Sequence, residues 1–343
     1  MKHIKSKLLL YALTAISMAE AMTVFSGVYS YGNIMCNHYF YQEQKAFSDM
    51  ISYPLRSYFL YNGQKSSEDT GAVKKDSAID NKDIVLSDDT NIVFDSQKSS
   101  GLKFNNQTEY EIDPQSLLAE KPNLDFTKNG QPQILIIHTH ASESYGYKRT
   151  YPLTDTDRTQ DKEYNMVRIG KELKSLLEDK GYNVLHDETI HDYPSYTSSY
   201  KRARDTIQKY LKEHPSIVAV FDLHRDALID ENGKCTGFVS LQNGEECAQI
   251  MMVCGTDQNN LKFDTWEENL RFAFKIQNYM EKHYPGLMRP INIRKERFNL
   301  HLTNGSILFE IGSSGNSLVQ AINSIKYLAD GIDNVISDLK SNK

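Results

Sequence analysis

The alternation of apolar and polar positions divides the chain into stretches of different character. Residues 8–31 (LLLYALTAISMAEAMTVFSGVYSY) are apolar almost throughout, and a run of about 20 such residues spans the hydrocarbon layer of a bilayer. Residues 36–60 are rich in aromatic side chains and read as a short membrane-proximal helix. Residues 64–100 are dominated by Ser, Asp, Lys and Asn. They bury too little apolar surface to offset chain entropy and read as a flexible stalk.

Periodic order begins near Pro132. Ile134 to Ile137 is an aliphatic run that reads as a strand buried on both faces. Residues 164–180 place Met166, Val167, Ile169, Leu173, Leu176 and Leu177 at helical spacing, with Gly181 set to end the helix. Residues 181–185 read as a second strand, 200–213 as an amphipathic helix stopped by Pro215, and 217–221 as a third strand. Residues 248–253 and 306–310 give two more strands, and residues 267–283 and 317–339 two more helices. Strands alternating with helices predict an α/β fold: a three-layer, mostly parallel sheet with helices on both faces. The organisation is then a cytoplasmic tip and transmembrane anchor at 1–33, a membrane-proximal segment and stalk at 34–130, and one α/β domain at 131–343.

Composition narrows the picture. The chain has 343 residues, 39% hydrophobic and 24% charged, enough for a sizeable core and against wholesale disorder. Its 39 basic and 45 acidic side chains balance to −6, so nothing in the charge asks for nucleic acid. Three lysines lie in MKHIKSK ahead of the apolar stretch, which puts the N-terminus inside and the rest outside the cytoplasm. Glu20 within the stretch costs about 2.5–3.5 kcal/mol on insertion scales, which the surrounding apolar residues outweigh. A signal peptide cut near Ala19–Glu20–Ala21 is the competing reading, but the apolar run continues well past that point. Cys36, Cys235, Cys247 and Cys254 show no paired C-x-x-C spacing. A Cys235–Cys247 bridge across a hairpin is compatible with an extracytoplasmic location.

In sheets of this kind ligands bind beyond the carboxyl ends of the strands. The first predicted strand runs into His138, Thr139, His140, Ala141, Ser142 and Glu143, the third into Asp222, Leu223, His224, Arg225 and Asp226, and the last into Glu310 and Gly312. A lone histidine after a strand is commonly a structural hydrogen-bonding residue. Three on one rim with carboxylates make a catalytic zinc site, imidazoles plus a carboxylate with one position open, the better reading. Asp222 and Asp226 are placed to fix a histidine tautomer. Glu143 is either a ligand or a helix-starting carboxylate after Ser142. Arg225 is read either as a fork for a substrate carboxylate or as an ion-pair partner of Asp222 or Asp226. His186, His191, His283 and His301 lie in polar contexts and read as surface residues.

HTHASESY at 138–145, the helix YNMVRIGKELKSLLEDKGYNV, the segment at 191–217, FDLHRDA at 221–227 and LFEIGSSGN at 308–316 together resemble the stage II sporulation protein P (SpoIIP) family. The resemblance covers about 200 residues in order, and the apolar N-terminus agrees with it. It implies a sporulation-specific peptidoglycan hydrolase of septal wall thinning and engulfment, with N-acetylmuramoyl-L-alanine amidase and stem-peptide endopeptidase activity. It implies a fold like that of zinc-dependent amidases, and as partners peptidoglycan, the membrane, the lytic transglycosylase SpoIID and the membrane protein SpoIIM. It places Zn2+ on His140 and His224 and puts Glu310 at the late catalytic glutamate. The middle ligand is Glu143 or Glu163, and His138 is a ligand or a supporting group. A non-catalytic, membrane-tethered wall-binding module is the alternative class, separated from the first by metal content.

Overall fold

The computed structural model describes the strands at 84–86 and 91–94, then residues 102–126, 130–149, 151, 157–228 and 235–341. The anchor at 1–33 and the membrane-proximal helix lie outside the described residues, among which no helix is long and apolar enough to cross a membrane.

A seven-stranded sheet organises the chain. Its strands are β3 (Phe104–Asn106), β4 (Ile134–Ile137), β5 (Val184–His186), β6 (Ala219–Asp226), β9 (Ile250–Gly255), β10 (Ile291–Arg294) and β11 (Ile307–Ser313). They stand in the order β3-β10-β9-β11-β6-β4-β5. Every neighbouring pair is parallel except β11 with β9. The mostly parallel sheet is therefore as expected. The single antiparallel junction turns the carboxyl ends of β9, β10 and β3 to the opposite edge from those of β4, β6 and β11.

Both faces are covered because the strand residues alternate between two apolar clusters. Ile134, Ile136, Phe221, Leu223, Phe309 and Ile311 join the large core, under the helices α2 (Met166–Asp179), α4 (Trp266–His283) and α5 (Leu318–Ser341). Leu135, Ile137 and Val220 pack instead with Ala203 and Ile207 of α3 (Ser199–Glu213). Asn165 caps α2 by accepting from Val167 N at 3.0 Å, and Gly181, at φ +89, ends it.

The structure differs from the sequence reading in several places. The sheet recruits β3, and the short helix α1 (Pro114–Ala119) packs against the same core through Leu117, so order begins ahead of residue 131. Within the stretch read as a stalk, β1 (Ile84–Leu86) and β2 (Asn91–Phe94) form a hairpin. It joins β7 (Gly237–Gln242) and β8 (Glu245–Ala248) in a four-stranded sheet. Cys235, Cys247 and Cys254 are free thiols, so no Cys235–Cys247 bridge forms. β6 runs on to Asp226, five residues past its expected end at Phe221, so the FDLHRD motif is itself strand.

Candidate active site

Strand parity sorts the candidate residues. In β6, Asp222 and His224 share the face of Val220, while Arg225 shares the face of Leu223. In β11, Glu310 lies opposite Phe309 and directly across from His224. A bulge follows Glu310, and Gly312 supplies the positive φ of +70 that it needs. A Cβ on Gly312 would stand 2.8 Å from both Ala248 Cβ and Asn316 Oδ1, so this position is restricted to glycine.

Asp222 is the keystone beneath the site. Its carboxylate accepts from Thr139 N at 2.8 Å and Thr139 Oγ1 at 2.6 Å, and its Oδ1 lies 3.0 Å from His224 Nε2. The other ring nitrogen, His224 Nδ1, faces Glu143 Oε2 at 3.4 Å. Burial opposes a charged imidazole, but Asp222 and Glu143 on its two sides hold the His224 pKa well above its ordinary value.

Glu143 is buried, and Arg158 reaches it at 3.1 Å with one nitrogen while the other holds Asp192 at 2.7 Å. Burial would raise the Glu143 pKa, yet His224, Arg158 and Arg225 outweigh it and hold the carboxyl well below the usual range. Asp192 in turn accepts from Ser142 N at 3.1 Å, which fixes the loop carrying Glu143. His140 is stacked on Tyr196, with ring centroids 4.3 Å apart, and stands edge-on to His224 and Tyr200. Burial pushes its pKa down to about 3, so the ring is neutral, and its Nδ1 is buried without a partner. Glu310 Oε2 is likewise buried and unpartnered. Burial, then the neighbouring Asp226, lifts the Glu310 pKa to about 8.

The structure brings His140, Glu143, His224 and Glu310 together and removes three other candidates. Glu163 is exposed and pairs with Lys171 at 3.1 Å. His138 shares the Ile134 and Ile136 face, and its Nδ1 contacts Leu223 O at 3.1 Å and its Nε2 contacts His186 Nε2 at 2.8 Å, so both ring nitrogens are engaged away from the site. Arg225 is 3% exposed and donates to the carbonyls of Ser144 and Asp157 at 2.8 and 3.0 Å. In that position it props the loop bearing Glu143 and does not offer a fork to substrate. Asp226 pairs with Arg289 at 2.8 Å. His191, expected at the surface, is buried between His138 O and Thr206 Oγ1, and His186 is held against His138. Arg158, Asp192 and Tyr196 were not among the sequence candidates, because they lie on loops with no apolar period to fix their direction.

Among the described residues no group of three or more His, Cys, Asp or Glu side chains is gathered closely enough to hold a metal ion. The donor chemistry nevertheless fits one. Glu143 supplies a carboxylate and His224 an imidazole, with Nδ1 and Oε2 3.4 Å apart. His140 adds a neutral ring with an unpartnered nitrogen.

Fold and site together define an α/β protein with a buried histidine and carboxylate cluster at the carboxyl edge of a mostly parallel sheet. Within that class, the chain belongs to the stage II sporulation protein P (SpoIIP) family, whose model matches residues 40–333. It is 26% identical over 233 residues to stage II sporulation protein P of Bacillus subtilis (strain 168). That match covers 63% of this chain and 54% of the relative, so the chain spans about half the relative's length. Among solved structures it is similar to the N-acetylmuramoyl-L-alanine amidase from Clostridium difficile 630, at 16% identity and a TM-score of 0.38 over 63% of this chain and 100% of that one. It is also similar to the CwlD amidase from Clostridioides difficile in complex with the GerS lipoprotein, at 13% identity and a TM-score of 0.39 over 62% of this chain and 100% of that one.

Proposed function

We propose that the protein is a zinc-dependent sporulation peptidoglycan hydrolase that cleaves the N-acetylmuramoyl-L-alanine amide, with endopeptidase action on stem peptides. In this reading residues 8–31 tether it to the membrane with the α/β domain outside the cytoplasm. It then works in septal thinning and engulfment beside SpoIID and SpoIIM. Family membership supports the biological setting. The observation that carries the chemistry is the buried cluster of His140, Glu143, His224 and Glu310, in which His140 Nδ1 and Glu310 Oε2 have no partner.

His140, Glu143 and His224 would hold the zinc, which when bound polarises an amide carbonyl and acidifies a water toward a pKa of about 7. The chain's own residues do the rest. Asp222 holds Thr139 and steadies His224. Arg158, anchored on Asp192, keeps the Glu143 carboxylate charged and fixed in place. Glu310, whose pKa is lifted to about 8, holds a proton at neutral pH and delivers it from Oε2 to the departing amine nitrogen. Tyr196 and Tyr200 shield His140 from bulk water on two sides.

Elemental analysis tests the metal assignment. The protein purified without chelator should carry about one zinc per chain, and His224→Ala and Glu143→Gln should each lose most of it while keeping the wild-type circular dichroism. A wild-type protein free of zinc, and indifferent to added zinc in thermal unfolding, would favour the wall-binding module.

A further inference from the structure

The imidazole of His140 is held differently from its neighbours in the cluster. His224 is flanked by Asp222 at 3.0 Å and Glu143 at 3.4 Å, and Glu143 is held by Arg158 at 3.1 Å. The Nδ1 of His140 is buried with no partner, and what fixes the tilt of its ring is aromatic contact. Tyr196 lies parallel to it, with centroids 4.3 Å apart and an interplanar angle of 11°, while Tyr200 and His224 stand edge-on at 5.4 and 5.2 Å. The Arg158 guanidinium, which holds Glu143, lies 5.0 Å from the centre of the same Tyr196 ring. One tyrosine therefore touches His140 directly and reaches the Glu143 carboxylate through Arg158.

Tyr196 is 39% exposed and sits in a run of six exposed residues, 193–198, yet polar bonds pin the loop. Arg202, on α3, donates to the carbonyls of His191 at 2.6 Å, Thr197 at 3.1 Å and Ser195. His191 is lodged between His138 O and Thr206 Oγ1, Asp192 holds Ser142 and Arg158, and Ser199 N donates to Tyr196 O at 3.2 Å. A ring carried on such a frame can set the plane of the ring stacked on it. Aromatic pairs prefer a defined offset and tilt, whereas an aliphatic side chain of similar size covers an imidazole without fixing its plane. A metal-binding histidine ordinarily has its plane fixed by a hydrogen bond from its second ring nitrogen, and loss of that partner weakens metal binding by about 10–100-fold.

We propose that Tyr196 is the positioning residue for His140, its stacked ring fixing the imidazole plane as a hydrogen-bonded acceptor does for other metal-binding histidines. The proposal rests on the zinc reading of the cluster, and its test reads the ring separately from the metal. The full-length chain is purified as wild type, Tyr196→Phe, Tyr196→Leu and Arg202→Gln, each labelled with carbon-13 at histidine Cε1. The His140 signal is assigned by its absence from His140→Ala. In metal-free wild type the stacked ring should move the His140 Hε1 line upfield. Tyr196→Phe should keep that shift and Tyr196→Leu should lose it. Arg202→Gln, which keeps the ring but frees its loop, should lose part of it. Zinc affinity, measured by competition with a chromogenic chelator, should fall by about tenfold or more in Tyr196→Leu and stay within about twofold of wild type in Tyr196→Phe. Circular dichroism identifies a Tyr196→Leu protein that fails to fold, in which case Arg202→Gln is read in its place. An unchanged His140 line or an unchanged zinc affinity in folded Tyr196→Leu would overturn the assignment. So would an equal loss in Tyr196→Phe, which would place the effect in the hydroxyl. A wild type that shows the upfield line, lost in Tyr196→Leu, but binds no zinc keeps Tyr196 as the group that orients His140 and loses the zinc reading. Zinc bound equally by wild type and Tyr196→Leu has the opposite result.

Discussion

Arg158 carries more of the site than its place in a loop suggests. It is the cation shared by two buried carboxylates, Glu143 and Asp192, and its removal would take a guanidinium from both at once. Arg158→Ala should cost about 2–4 kcal/mol, since breaking a buried pair from one side strands charge in a poorly solvated place. Urea unfolding at pH 7 checks this, and an unchanged midpoint would contradict it. Glu281 is the converse case. It is buried in α4 with neither carboxylate oxygen partnered, and burial raises its pKa from 4.5 to about 7. Between those values the folded chain keeps a proton that the unfolded chain has lost, so this group makes stability fall as pH rises from 4.5 to 7. The difference amounts to about 3 kcal/mol above pH 7 and vanishes below pH 4.5. Glu281→Gln should therefore stabilise the protein at pH 8 and leave it nearly unchanged at pH 4. Equal effects at the two values would show that the carboxyl is not titrating as the burial demands.

At the level of elements, close approach between α2 and the sheet depends on Gly170. A Cβ there would stand 2.4 Å from His186 Nε2 and 2.6 Å from His138 Nε2, so Gly170→Ala must break the histidine pair or push the helix outward. We expect a loss of about 1–3 kcal/mol, the usual cost of overpacking. Gly181→Ala, where φ is +89 but nothing lies within 4 Å, should cost about 1 kcal/mol from backbone strain alone. Thermal unfolding of the two variants separates the effects, and a Gly170→Ala protein as stable as wild type would refute the close contact. Much of this framework was legible in the sequence, because uninterrupted aliphatic runs such as Ile134 to Ile137 can only be buried strands and α2 declares itself by its period. The direction of His138 was legible too, had the alternation of Ile134 and Ile136 been carried two residues further. Legibility ended where spacing stops encoding direction. β10 and the β7–β8 hairpin are short, the antiparallel turn of β9 has no local signature, and Arg158 and Asp192 find Glu143 only through tertiary contacts.

For the whole molecule, the sheet topology explains why one edge carries the chemistry. β4, β6 and β11 deliver His140, His224 and Glu310 to the same end, while β9, β10 and β3 run the other way and send their own carboxyl ends to the opposite edge. The proposed membrane tether at residues 8–31 can be checked by protease protection of the full-length protein in sealed vesicles. The central claim is that the edge hydrolyses the amide joining the glycan to its stem peptide. Its most direct test is mass spectrometry of the products released from purified sacculi by the wild type and by Glu310→Gln. The account predicts free stem peptides beginning at L-alanine and glycan with unsubstituted lactyl groups from the wild type, and a loss of at least a hundredfold in Glu310→Gln. Release of such products at the wild-type rate by Glu310→Gln, or their absence from the zinc-loaded wild type, would contradict it.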